Sequence, residues 1–442
     1  MRLLKCCILS ITLAAAAAHA QIRLPVLPLP TLPVQTLPQA LGQIQGQTSD
    51  QLGALRRIEV ARLIRANRRV VDTDQNGDPI VRNEILGLSP TDAAVDGARA
   101  AGFTVDREQV IAPLNIRLAV FKAPQNLSTK QALRVLRDAD PGGSYEYNHI
   151  YGGAGSLQGM PPAGDAPAAA SAQNPPAQNS SAPNSPAPSR ARIGLLDTGV
   201  DATHPVFRDS AIHAWGCGDH TVPAAHGTAV ASLLIGRGEK FQGVQPGAEL
   251  YAADVYCGLP TGGAVDALVA AFGWLVREGV PVINVSLVGP KNLMLQRVIG
   301  SLIAGGYIIV AAVGNDGPAA PPLYPASYAD VVGVTAVDSH RHALIEAARG
   351  PQVMFAAPGA DLAAADGAHG YAAVRGTSFA APFVAALLAS KIEKPDAGAA
   401  AAAVDALAKS AIDLGPPGRD LTYGFGLVGE DHGRNLSPAS YP

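Results

Sequence analysis

At 442 residues the chain is long enough for two or three domains, and a 48% hydrophobic composition provides for a substantial core. Its 33 basic and 36 acidic residues leave a net charge of −3, with no Lys/Arg block and no charged tail. That balance excludes the electrostatic footprint of a nucleic-acid-binding surface.

Taken in chain order, the first twenty residues have the anatomy of a secretory signal peptide. Arg2 and Lys5 form a short positive region, Cys6 to Ala18 is an apolar run, and Ala18-His19-Ala20 supplies a small-x-small cleavage site before Gln21. A membrane anchor is the alternative, but the run is shorter than the roughly 20 residues a span requires. Export is therefore expected, to the periplasm or the medium, with no membrane attachment once the signal is removed. Cys6 and Cys7 leave with that segment. Cys217 and Cys257 remain, and an even pair in an exported protein reads as one disulfide, with two buried free thiols as the alternative.

Residues 21–67 begin as a Pro-, Leu- and Gln-rich run ("LPVLPLPTLPVQTLPQ") and read as an extended, disordered lead-in. A compact pattern follows over 68–151. "PIVRNEILGL" reads as a strand. "SPTDAAVDGARAAG" reads as a helix with a Ser-Pro start and a stop at Gly102. "FTVDREQVI" and "NIRLAVFKA" are two strands, "LSTKQALRVLRDAD" is a helix capped by Ser128 or Thr129, and "SYEYNHIY" is a last strand. The order βαββαβ predicts a small ferredoxin-like α+β domain. Within it, Asp72, Asp74, Asn76 and Gly77 match the opening of a calcium loop, but its closing glutamate should fall at Asn83 and Glu84 is one step late. A β-turn at Asn76-Gly77 is the preferred reading, and a structural calcium is left without an assigned site.

Residues 152–190 are dominated by Ala, Pro, Ser, Asn and Gln, a composition that cannot bury enough apolar surface to offset its ordering entropy, so they read as a linker. Beyond Arg192 short β-rich runs ("RIGLL", "ELYAADV", "PVINVSL", "YIIVAAV", "VVGVTAV") alternate with helical stretches such as "AVDALVAAFGWLVREG" and "LMLQRVIGSLIAGG". This alternation predicts an α/β fold with a parallel sheet and helices on both faces, its site at the carboxyl ends of the strands. Asp197 directly follows "RIGLL" at that edge.

"LLDTGVD" admits two chemistries. An aspartic protease needs a second Asp-Thr/Ser-Gly, or a chain of about 100 residues that dimerises; this chain has neither. A serine nucleophile needs a base, a carboxylate to orient that base, and donors for an oxyanion. "HGTAVASLLIG" places His226 at a helix start, "GTSFAAPFVAALLAS" does so for Ser378, and "VAAVGNDG" sets Asn315 just past a strand. Pro382 is expected to be tolerated within the first turns of its helix. With the chain order Asp…His…Ser, the region from about Ala191 to Glu430 resembles the subtilisin-like serine endopeptidases. The resemblance rests on "LLDTGVDATHPVF", "HGTAVAS", "VINVSL", "VAAVGNDG", "YPAS", "APG", "GTSFAAPFVA" and "DLTYGFGLV" together.

The resemblance implies a three-layer catalytic domain over 191–435, with Ser378 as nucleophile, His226 as general base and acid, Asp197 as its orienting carboxylate and Asn315 in the oxyanion hole. It implies that Ser286, Leu287, Val288 and Gly289 form an edge strand pairing with an extended peptide, a β-augmentation mode, and that Gly314 and Tyr324 line the pocket for the residue before the scissile bond. Val288 stands where relatives commonly have Gly, and Phe379 where many have Met. The segments holding Cys217 and Cys257 would be neighbours in that fold, and His204 would be structural. The α+β region resembles the family's inhibitory propeptide, cut near Tyr151. The expected partners are polypeptide substrates and the chain's own propeptide, on a monomer, with no metal or other cofactor required. A catalytically silent binding module on the same scaffold is the alternative function. An acid protease wants Glu in place of His226, and an esterase wants a Gly-x-Ser-x-Gly elbow.

Overall fold

The structure is a computed structural model that describes residues 52, 54, 56–111, 114–153, 190–218, 220–238, 241–367, 369–434 and 436. The expected signal peptide, the Pro-rich run and almost all of the linker lie outside the described residues. The first described helix, α1 (residues 56–66), replaces the last part of the expected disordered lead-in. The proline run has ended by Pro38, and "RRIEVARLIRAN" is rich in helix formers, with Val60, Leu63 and Ile64 at helical spacing and half-buried.

Next come β1 (Val71–Thr73), β2 (Pro79–Leu88), α2 (Asp92–Ala100), β3 (Thr104–Ile111), β4 (Ile116–Lys122), α3 (Thr129–Ala139) and β5 (Ser144–Gly153). The strands pair antiparallel in the order β5-β2-β4-β3. Thr91 caps α2, and Ser128 with Gln131 forms a reciprocal capping box on α3, which satisfies N–H groups the helices leave open. Strand periodicity gives this sheet two buried faces. On β4, Ala119 and Phe121 pack with Val95, Leu133 and Leu136 of the two helices. Leu118 and Val120 point the other way, into a second core shared with later elements.

Those later elements are β6 (Arg192–Asp197), β7 (Ala211–Gly216), α4 (Ala225–Ile235), β8 (Glu249–Asp254), β9 (Gly263–Ala264), α5 (Val265–Arg277), β10 (Val282–Val285), β11 (Leu287–Val288), α6 (Leu293–Ala304), β12 (Ile308–Ala312), β13 (Val332–Val337), β14 (Val353–Pro358), β15 (Leu362–Ala365), β16 (Tyr371–Val374), α7 (Thr377–Ala389), α8 (Ala397–Ser410) and α9 (Glu430–Arg434). A parallel sheet runs β14-β13-β12-β10-β6-β8-β7. Its faces divide the apolar residues by alternation. Ile308, Val310 and Ala312 of β12 join the core under α4 and α7, while Ile309 and Ala311 join the core under α5 and α6. The continuous apolar runs seen in the sequence are what a strand covered on both faces requires.

The α+β layer sits on α5 and α6. Arg107 donates to Asp266 and to Glu84, and Asn148 donates to the same two carboxylates at 2.9 Å each. Asn292, the N-cap of α6, donates to the Tyr147 carbonyl at 2.9 Å and to His149 Nδ1 at 3.0 Å. Residues 74–78 form the turn between β1 and β2, with Asp74 Oδ1 accepting from the backbone of Asn76 and Asp78. Glu84 accepts from Arg107 and Asn148. Among the described residues no helix is long and apolar enough to cross a membrane.

Candidate active site

Asp197 ends β6 and is fully buried. Its Oδ1 accepts from the Thr198 backbone at 2.7 Å and faces His226 Nδ1 at 2.7 Å. His226 is the second residue of α4 and is also buried. Burial is the largest influence on its imidazole and disfavours the charged form. The charge of Asp197 and the hydrogen bond to it together outweigh that, and hold His226 above its ordinary value. The Asp197 contact sets Nδ1 as the protonated nitrogen, so Nε2 carries the lone pair. Nε2 is buried and has no hydrogen-bond partner among the described residues. The ring packs 5.4 Å from that of Phe379, the residue after Ser378.

Ser378 is the second residue of α7, so it stands where backbone N–H groups have no partner inside the helix. Gly376 makes the entry turn at φ 137°, a conformation open to glycine. Ser378 Oγ donates to the Ser286 carbonyl at 3.3 Å. Asn315 follows β12 by three residues. Its Oδ1 accepts from the Thr377 N–H at 3.1 Å, which fixes the amide; its Nδ2 is buried with no partner among the described residues. A fixed, buried donor beside a helix N-terminus is what a developing oxyanion needs. Thr377, not singled out in the sequence, also accepts from the Gly314 N–H through Oγ1 at 3.1 Å. The next carboxyl, Asp316, is raised by burial, offset in part by Arg56 of α1 at 3.0 Å.

Of the segment from Ser286 to Gly289, Leu287 and Val288 form β11. Leu287 pairs antiparallel with Gly153 and Val288 with Gly152. A second edge, β9, was not anticipated; its Gly263 and Ala264 pair with Tyr151 and Ile150. The end of β5 therefore lies as a middle strand between two edges of the catalytic layer. Tyr151 is wholly buried and the paired chain runs on to Gly153. Gly289 and Tyr324 exchange backbone hydrogen bonds at 2.9 and 3.0 Å, and Tyr324 precedes a cis proline.

Cys217 and Cys257 are joined as a disulfide with Cα atoms 5.2 Å apart, spanning the loops after β7 and β8. His204 is buried, accepts from Val206 N through Nδ1 and contacts the Gly370 carbonyl through Nε2. It is separate from the Asp197–His226 pair. Pro382 is the sixth residue of α7, in its second turn, within the first turns where it was expected.

Comparison with known proteins agrees with this geometry. The profile of the subtilase family matches residues 189–426, more than half the chain. Subtilisin DY of Bacillus licheniformis is 30% identical over 248 residues, 54% of this chain and 89% of that protein. Subtilisin BL of Lederbergia lenta is 31% identical over 245 residues, again 54% of this chain and 89% of the relative. The structure of fervidolysin from Fervidobacterium pennivorans, described as a keratinolytic enzyme related to subtilisin, superposes with a TM-score of 0.65 at 20% identity. That alignment covers 81% of this chain and 62% of fervidolysin, and speaks for the fold. With Asp197, His226 and Ser378 standing within the matched span, the chain belongs to the subtilase family, the subtilisin-like serine proteases.

Proposed function

We propose that the protein is an exported endopeptidase that cuts peptide bonds through Asp197, His226 and Ser378 and is made as a self-processing zymogen. Ser378 Oγ attacks the scissile carbonyl while His226 Nε2 takes its proton, and Asp197 stabilises the resulting imidazolium. The carbonyl oxygen becomes an oxyanion held by Asn315 Nδ2 and the Ser378 backbone N–H. His226 then gives the proton to the leaving amine. A water, deprotonated by the same nitrogen, hydrolyses the acyl-enzyme. The observation that carries this reading is the pair of unused polar atoms, His226 Nε2 and Asn315 Nδ2, in a buried site that also holds Ser378.

The zymogen reading is supported by the end of β5 lying along β11 as an extended peptide would. An N-terminal layer that fills the groove inhibits until it is cut and removed. Ser378→Ala tests both halves. It should lower hydrolysis by roughly 10⁴–10⁶ and accumulate as uncut precursor. Processing of this variant at the same bond, in a host lacking other proteases, would contradict self-cleavage.

A further inference from the structure

The pocket that receives Tyr151 is built to read more than an aromatic ring. The ring is fully buried beside Tyr324 and Tyr328, whose own rings are 4.6 Å apart. Gly289 leaves it room: a Cβ there would lie 2.7 Å from ring atoms. The floor is polar. The Tyr151 hydroxyl donates to the Pro290 carbonyl at 2.5 Å. Tyr328 is pinned in turn, donating to the Asn292 carbonyl at 2.8 Å and accepting from its N–H at 3.0 Å. Burial, then the neighbouring Tyr328, raises the Tyr151 phenol well above its ordinary value, so it stays protonated and remains a donor.

The strand register relates this pocket to the nucleophile. Gly152 and Gly153 face Val288 and Leu287, and the next residue of that edge is Ser286, whose carbonyl accepts from Ser378 Oγ. A peptide continuing in this register brings its third residue after the tyrosine against Ser286, and the following bond to Ser378. At Gly152 a Cβ would meet nothing within 4 Å, so the residue after the tyrosine is not selected by size.

Resting on the endopeptidase reading above, we propose that the enzyme selects substrates with tyrosine three residues before the residue at which it cuts, and separates tyrosine from phenylalanine by the hydroxyl. Phenylalanine would fill the same space and leave the half-buried Pro290 carbonyl without the donor that the buried Tyr151 hydroxyl supplies, a loss that sites built around a hydroxyl do not tolerate well. Applied to the chain itself, the bond cut is Ala154–Gly155.

The test uses the purified active enzyme and the peptide Asn-His-Ile-Tyr-Gly-Gly-Ala-Gly-Ser-Leu, residues 148–157 of the chain, with Tyr replaced in turn by Phe, Leu and Ala. Cleavage should fall between Ala and Gly. Tyr should exceed Phe in kcat/KM by roughly 10–100-fold, with Ala below Phe. In Gly289→Ala enzyme the Tyr/Ala ratio should fall. Hydrolysis with Tyr and Phe within about threefold, or at another bond, overturns the tyrosine pocket and leaves the endopeptidase reading standing. So does labelling of Ser378 by a fluorophosphonate with no peptide cut. No hydrolysis together with no labelling overturns both.

Discussion

The Ser286 hydroxyl donates to the carbonyl of Ser378 at 3.0 Å. In an unbroken helix that carbonyl would accept from the N–H of residue 382, but Pro382 has none. An edge-strand serine thus supplies the hydrogen bond a proline withholds, and ties the substrate edge to the nucleophile's backbone. Ser286→Ala should destabilise the protein by about 1–3 kcal/mol, because it leaves a buried carbonyl unpaired. Added to Pro382→Ala, which restores the N–H, it should cost less. Chemical denaturation of the four proteins gives the coupling; strictly additive effects would contradict the link.

Asn315 offers one oxygen and one nitrogen to different tasks. Oδ1 holds the Thr377 N–H, while Nδ2 stands unused. Asn315→Ala should lower turnover by roughly 10²–10³, the range measured for such a donor in subtilisin, with a much smaller change in KM. Steady-state kinetics on one peptide decides it. An unchanged turnover number would reduce Asn315 to a cap for α7.

His226 must be neutral to take the proton of Ser378; burial lowers its pKa, but the charge of Asp197 and the hydrogen bond to it outweigh burial and hold it above the ordinary imidazole value. Activity should therefore be lost as pH falls through that raised value, placing the acid limb of kcat/KM above that of an ordinary imidazole. Asp197→Asn removes the charge that raises it, so the surviving activity should show an acid limb moved to lower pH. A limb unmoved by that change would show that another group controls the profile.

Much of this arrangement could be read from residues alone, for definite reasons. Strands β10 and β12 are covered on both faces, so their apolar runs are continuous and legible. Strand β7 passed unread because it is an edge. His213 and Ala214 are exposed, and no run of apolar residues marks it. Asp197, His226, Ser378 and Asn315 were legible because each sits in a short motif whose chemistry demands the others. The seating of Gly152 and Gly153 on β11 was not, since two glycines carry no pattern and backbone pairing fixes their place. Tyr328 and Pro290 went unread as pocket residues for a related cause, their role arising only where β5 meets them.

The central claim is that Asp197, His226 and Ser378 act as one unit, and the rate of fluorophosphonate attachment to the active enzyme measures it directly. The account predicts labelling at Ser378 alone. His226→Ala should slow it by roughly 10³-fold or more, and Asp197→Ala added to His226→Ala should slow it little further. Rapid labelling in the His226→Ala protein, or attachment at a residue other than Ser378, would contradict it.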